Sequence, residues 1–194
     1  WIWVMILLVL LIVSTKNALT PPQENWYLSL EEGRIALEDG DEGKALGKLE
    51  ESYTINPNFG MTKKILARLY LDQGYQALNT EEFNVAVTYL EKSQDLDCRR
   101  ETKEQLLKAY LYRGFNRYNS GDIYGAEEDC IKGIALNEKI EGFHYILGAV
   151  YYHQNRIREA RGEIEQVIKI NPRNTNAQIL LEELQRVERE KAAE

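Results

Sequence analysis

The sequence predicts an all-α fold: a right-handed α-solenoid of about four helix–turn–helix repeats, closed by a C-terminal capping helix and preceded by an N-terminal transmembrane helix. Three observations predict it. The first 13 residues are apolar without a break, and further along a glycine and an alanine recur together at matched intervals. After residue 24 the apolar residues follow the helical period of roughly 3.6, with no run of the alternation a strand would show.

Trp1 to Val13 (WIWVMILLVLLIV) has no polar face, which suits lipid or a large core, and this chain is too short to build such a core. Thirteen helical residues reach only about 20 Å against a hydrocarbon layer of roughly 30 Å, so the predicted span runs on to Leu19 with Lys16 at the interface. The chain opens on Trp1 and not on Met, so residues upstream are expected. Three rivals are weighed. A cleaved signal peptide lacks its small-residue site, because Thr15 and Asn17 flank the charged Lys16. A lipoprotein signal lacks its cysteine, and a processed pilin-type subunit lacks the acidic residue near its mature start. Lys16 and Arg34 stand against Glu24, Glu31 and Glu32, so no basic cluster holds the body to the cytoplasm; the reading leans to a single-pass protein with an extracytoplasmic body.

Residues 20–25 read as a linker, since Pro21 and Pro22 stop a membrane helix and favour an extended spacer. Residues 26–172 read as the repeat domain, in units of about 26–57, 58–99, 100–138 and 139–172. Gly33, Gly74, Gly114 and Gly148 are separated by 41, 40 and 34 residues, and so are Ala45, Ala86, Ala126 and Ala160. A glycine on a first helix facing an alanine on a second lets the two helices cross closely. Turn chemistry lies between them at Asp39-Gly40-Asp41, Asn79-Thr80-Glu81, Ser120-Gly121-Asp122 and Gln154-Asn155-Arg156. The longer units carry about two extra helical turns, read as N-terminal extensions over Asn58 to Ala67 and Arg100 to Leu107. Residues 173–194 read as the capping helix, with Ile179, Leu180, Leu184 and Val187 on its covering stripe.

These residues resemble the tetratricopeptide repeat family, whose unit is a helix–turn–helix with Gly and Ala at the close crossing and a closing Pro. The last unit matches best, through Leu147-Gly148, Tyr151, Ala160 and Asn171-Pro172; the first ends on Asn56-Pro57. The middle two have Cys98 and Glu138 in the proline slot, and Glu32, Gln73 and Arg113 stand before the glycine where the family favours a large apolar residue. The resemblance implies a fold and a protein-binding role, and it names no partner.

If the first helices line a groove, the stripe at −3, +1 and +4 from each glycine faces it. That stripe holds Leu30, Arg34 and Leu37, then Leu71, Tyr75 and Leu78, then Leu111, Phe115 and Tyr118, then Tyr145, Ala149 and Tyr152, with Arg68 and Lys108 near one edge. Aromatic side chains there would either anchor a protein partner or pack against the next unit, and both readings stay open. The resemblance also bears on the mode: members that grip C-terminal carboxylates use Lys and Asn where this chain has Leu30 and Arg34.

Net charge is −7, from 24 basic and 31 acidic residues, which argues against nucleic acid. Cys98 and Cys130 lack ligand spacing and read as free thiols. His144 and His153 lie nine residues apart, about 900° around a helix, so they face opposite ways and share no metal. Glu50-Glu51, Glu81-Glu82 and Glu127-Glu128 read as solvated acids on second helices. No catalytic motif occurs, so neither an enzyme nor a cofactor is expected. The predicted function is a membrane-anchored interaction scaffold or an accessory subunit of a larger membrane assembly or homo-oligomer. The alternatives are a filament subunit with the apolar segment in its core, or a fragment of an enzyme whose catalytic domain lies elsewhere.

Overall fold

The computed structural model describes residues 22–193, so the predicted transmembrane helix at 1–19 lies outside the described residues. Among the described residues there are nine helices and no strand. They are α1 (Pro22–Glu38), α2 (Glu42–Ile55), α3 (Gly60–Asn79), α4 (Phe83–Leu96), α5 (Arg100–Ser120), α6 (Ile123–Leu136), α7 (Glu141–His153), α8 (Ile157–Ile170) and α9 (Thr175–Ala193). No helix among them is long and apolar enough to cross a membrane. The segment expected as a linker over 20–25 is helical from Pro22 onward. Proline suits a first helical position, because its missing N–H would have no partner there and its φ is already set.

The described chain forms two compact units. One ends at Asp72 and includes Asp95–Asp97; the other holds Gln73–Gln94 and the residues from Cys98 onward.

Each first helix is closed by the same device. The N–H groups of Asp41, Glu82, Asp122 and Arg156 return 2.8 Å to the carbonyls five residues back, at Ala36, Ala77, Arg117 and Tyr151. The residue before each adopts positive φ: Gly40 at 77°, Glu81 at 60°, Gly121 at 86° and Asn155 at 63°. A left-handed residue at this place ends the helix by satisfying its last carbonyls. Asp41 and Asp122 then cap the next helix, accepting from the N–H groups of Lys44 at 2.9 Å and Gly125 at 3.0 Å. The second turn lies one residue later than Asn79-Thr80-Glu81 suggested, because Glu81 itself takes the left-handed conformation in place of a glycine. Glu81→Gly is therefore expected to raise stability by about 0.5–1 kcal/mol, the left-handed penalty less the unfolded-state cost of glycine. A urea midpoint measures it, and an unchanged or lower midpoint counts against strain at Glu81.

At the crossings, Ala45, Ala86, Ala126 and Ala160 are fully buried. A side chain built on Gly33, Gly74 or Gly148 would meet Leu49, Leu90 or Ile164 at 2.8, 2.6 and 2.7 Å, with the alanine carbonyl 3.4 Å away in each case. At Gly114 the contact is looser, 3.3 Å from Asp129 Cβ.

A second repeated contact carries no signal as simple as a glycine. In one unit the buried hydroxyls of Ser52 and Thr62 lie 3.4 Å apart, and Tyr70 donates to Glu50. In the other, Ser93 and Thr102 lie 3.3 Å apart, and Tyr110 donates to Glu91 at 2.5 Å. Gly133 takes the corresponding place in the next pair, and its bare backbone admits the ring of the fully buried Phe143.

The extra turns of α3 and α5 belong to continuous helices; in α3 the helix begins at Gly60, not Asn58. Helix α9 lays Ala177 and Leu184 against Ile157, Ala160, Ile164 and Val167 of α8, with Leu180, Leu181 and Val187 at the margin. Ile179, expected on that covering stripe, is instead 61% exposed. It lies about 140° around the helix from Leu184, so the two cannot share a narrow face.

Candidate functional site

Among the hollows of the second compact unit, two share the aromatic face of α5. The first, about 630 Å³, lies among the end of α3, the start of α4 and α5; Tyr75, Leu78, Phe83, Lys108, Tyr112 and Phe115 line it, with Asn79, Glu81, Gln105 and Asn116 at its polar rim. The second, about 390 Å³, lies among α5, the start of α7 and the residues that open α9. Its walls are Leu111, Tyr112, Phe115, Glu141, Gly142, Tyr145, Ile146, Asn174 and Asn176. Tyr112 and Phe115 belong to both and form the ridge between them, each 52% exposed.

Local structure explains the ridge. Lys108, Tyr112 and Phe115 follow one another at helical spacings of four and three, so they share a face of α5. Phe83, at the first turn of α4, stacks on Tyr112 with ring centroids 5.4 Å apart. Gly142 lets α7 come down on α5, since a side chain there would meet Leu111 at 2.9 Å.

Tyr75, Leu78, Leu111, Phe115 and Tyr145 of the expected stripe, with Lys108 from its edge, are thus brought together along α5. The others are not. Leu30 and Leu71 are buried, at 1% and 2% exposure. Arg34 pairs with Glu31 and Arg68 with Asp72, both at 3.1 Å on their own helices. Tyr118 and the exposed Tyr152 line neither hollow. The angle explains part of this. Counting from the glycine, which points at the paired helix, −3 lies only about 60° away, so Leu30 and Leu71 fall beside the crossing. Leu111 and Tyr145 share that position and still reach a hollow, so the angle alone does not sort the stripe, while −2 lies about 160° away on the open face. Sequence reading therefore missed Tyr112, at −2; the i, i+4 step from Lys108 was the available signal.

The geometry and the sequence meet on the last helix pair. Residues 142–174, covering α7, α8 and the proline turn after them, match the tetratricopeptide repeat family. The match is to one helix pair of this chain. No curated protein sequence matches it as a relative. Among solved structures it is similar to the C-terminal TPR-containing domain of a Plasmodium falciparum protein described as FK506-binding, at 16% identity and a TM-score of 0.52, covering 70% of this chain and 97% of that one. It is also similar to the first TPR domain of Spaghetti (RPAP3) bound to an HSP90 peptide, at 20% identity, TM-score 0.46, and 62% and 94% coverage. A third is MamA protein, at 22% identity, TM-score 0.40, and 84% and 88% coverage.

Before two of the four crossing glycines, Gly33 and Gly114, the preceding residue serves an ion pair. Glu32 receives Lys48 at 2.8 Å near the surface. Arg113 donates from Nε and Nη2 to the two oxygens of the fully buried Asp129, at 2.9 and 2.5 Å, and Arg117 adds a bond of 3.0 Å. Burial alone would lower the Arg113 pKa; the hydrogen bond and charge of Asp129 outweigh it and raise it. Burial, then the charges of Asp129, Glu163 and Glu127, push the Cys130 thiol up to about 12, so it stays protonated and packs as an apolar group. Cys98 is exposed, and both thiols are free.

Nor are all the paired acids solvated, as sequence suggested. Glu127 is mostly buried and accepts from Gln154 at 2.8 Å and Arg156 at 3.0 Å; Glu81 and Glu82 stand in the turn before α4. His144 is buried, with Nδ1 2.7 Å from Glu163 and Nε2 2.9 Å from the Glu138 carbonyl. Among the described residues no three of His, Cys, Asp and Glu gather as a metal site.

Proposed function

We propose that this protein is a membrane-anchored scaffold or accessory subunit that holds a protein partner along the α5 ridge. One observation carries the binding reading: two aromatic side chains stand half exposed between two hollows. Exposed aromatics beside concave walls are what protein anchors use, because they offer large contact area at little rotamer cost. The hollows suit an extended segment or one face of a helix. The membrane reading rests on the unbroken apolar run from Trp1 to Val13. Catalysis forms no part of the proposal.

The test compares wild type with Phe115→Ala after gentle solubilisation of membranes and mass spectrometry of co-purifying proteins. Phe115→Ala should weaken capture of a specific partner by about 30-fold, as a central aromatic anchor does. It should shift stability by no more than about 0.5 kcal/mol, because the ring is half in water. Equal capture by both proteins would refute the groove. Alkaline extraction tests the anchor: the full chain should stay with the membrane pellet, and release into the wash would refute it.

A further inference from the structure

Building on that reading, the geometry points to a particular partner chemistry: an aliphatic side chain in the hollow between α5, α7 and α9, accompanied by a Lys or Arg that Glu141 receives. Glu141 opens α7 and lines this hollow. Its Oε2 is buried and has no hydrogen-bond partner among the described residues. A carboxylate oxygen removed from water without a donor is costly, and a group that brings a donor offsets that cost.

The residues around it supply no cation. Leu111, Tyr112, Phe115, Tyr145 and Ile146 make the rest of the wall largely apolar; Asn174 and Asn176 are neutral, and Lys108 lines the other hollow. The Asn174 side-chain oxygen is already engaged, accepting from the N–H of Ala177 at 3.0 Å. Among the described residues Glu141 is thus the one charged side chain lining this hollow, and a bound cation would complement it. The walls select its companion, since an apolar lining of about 390 Å³ is the size of a small ligand pocket and rewards a Leu, Ile or Met side chain. A cationic head on an aliphatic stem meets both demands at once, because the stem lies along apolar surface while the head reaches the carboxylate. An acidic partner is disfavoured, as its charge would sit beside an unpaired Glu141.

The experiment pans a phage library of short random peptides against the full chain in detergent micelles, then measures the enriched peptides by fluorescence anisotropy. Enriched sequences should place Lys or Arg beside an aliphatic residue. Glu141→Gln should weaken them about tenfold, as should Lys→norleucine in the peptide, and combining the two should cost little more than either alone. The peptide-side change leaves the protein untouched, so it decides the matter even if the variant folds poorly. Enrichment of acidic peptides, or equal binding to Glu141→Gln and by the norleucine peptide, overturns the proposal. Phe115→Ala separates the two readings. If it abolishes binding while the Glu141 and Lys changes do nothing, the groove stands and this partner chemistry falls. If none of the changes matters, or no peptide is enriched, both fall.

Discussion

Asp129→Ala is expected to destabilise this protein by about 3–5 kcal/mol, the usual consequence of removing one partner from a buried ion pair. Asp129 is fully buried and is the carboxylate to which Arg113 donates two bonds and Arg117 one. The Arg113 side chain is only 13% exposed, so it cannot swing into water once its partner is gone. The loss is therefore mostly the penalty of a stranded guanidinium, not the worth of the pair. A second variant separates these. Arg113→Met with Asp129→Leu removes both charges at similar volume and should lie within about 1–2 kcal/mol of wild type, or above it. Chemical denaturation of the three proteins measures the series. If the single and double variants fall equally, packing and not charge holds α5 to α6.

Gly148→Leu is expected to cost about 2–3 kcal/mol or more through overpacking, after a gain of under about 1 kcal/mol from replacing a helical glycine. A Cβ at this place would stand 2.7 Å from Cδ1 of Ile164 and 3.4 Å from the Ala160 carbonyl, and a leucine adds three more carbons to a site already full. Gly148→Ala is the graded control. Its one carbon meets the end of a side chain that can rotate, so it should fall near neutral, within about 1 kcal/mol. A thermal midpoint unchanged in Gly148→Leu would mean that α7 and α8 do not cross at Gly148 and Ala160.

How far the site could be read in advance depended on whether a residue's role is set by its neighbours along the chain or across space. The glycine–alanine intervals and three of the four left-handed turns stand in plain view, because Gly40, Gly121 and Asn155 are the residue types that positive φ favours. The fourth was off by one, because Glu81 adopts that conformation against its own preference and is held by the α3 end and the α4 start. Tyr75, Lys108, Phe115 and Tyr145 could be chosen as groove residues from helical spacing, but Tyr112 and Glu141 could not be singled out. Whether a position on a first helix is open or covered depends on where the paired helix crosses, and a difference of one residue turns a side chain by about 100°.

The departures from the family pattern show the same division. Arg113 in an apolar position was visible as an anomaly, yet Asp129 looked like one more acid in a run of three. It is the partner because the turn at Gly121 folds α6 back and sets it opposite α5, sixteen residues away along the chain.

By itself, the order of residues determined the helices and their small-residue crossings, since periodicity, glycine and proline act locally. Only the folded arrangement decided which polar groups are buried in pairs, which aromatic rings remain in water, and that one oxygen of Glu141 is closed off with no partner among the described residues. Burial and hydrogen-bond satisfaction are properties of what surrounds an atom, and the surroundings of Glu141 come from three helices that meet only once the chain has packed.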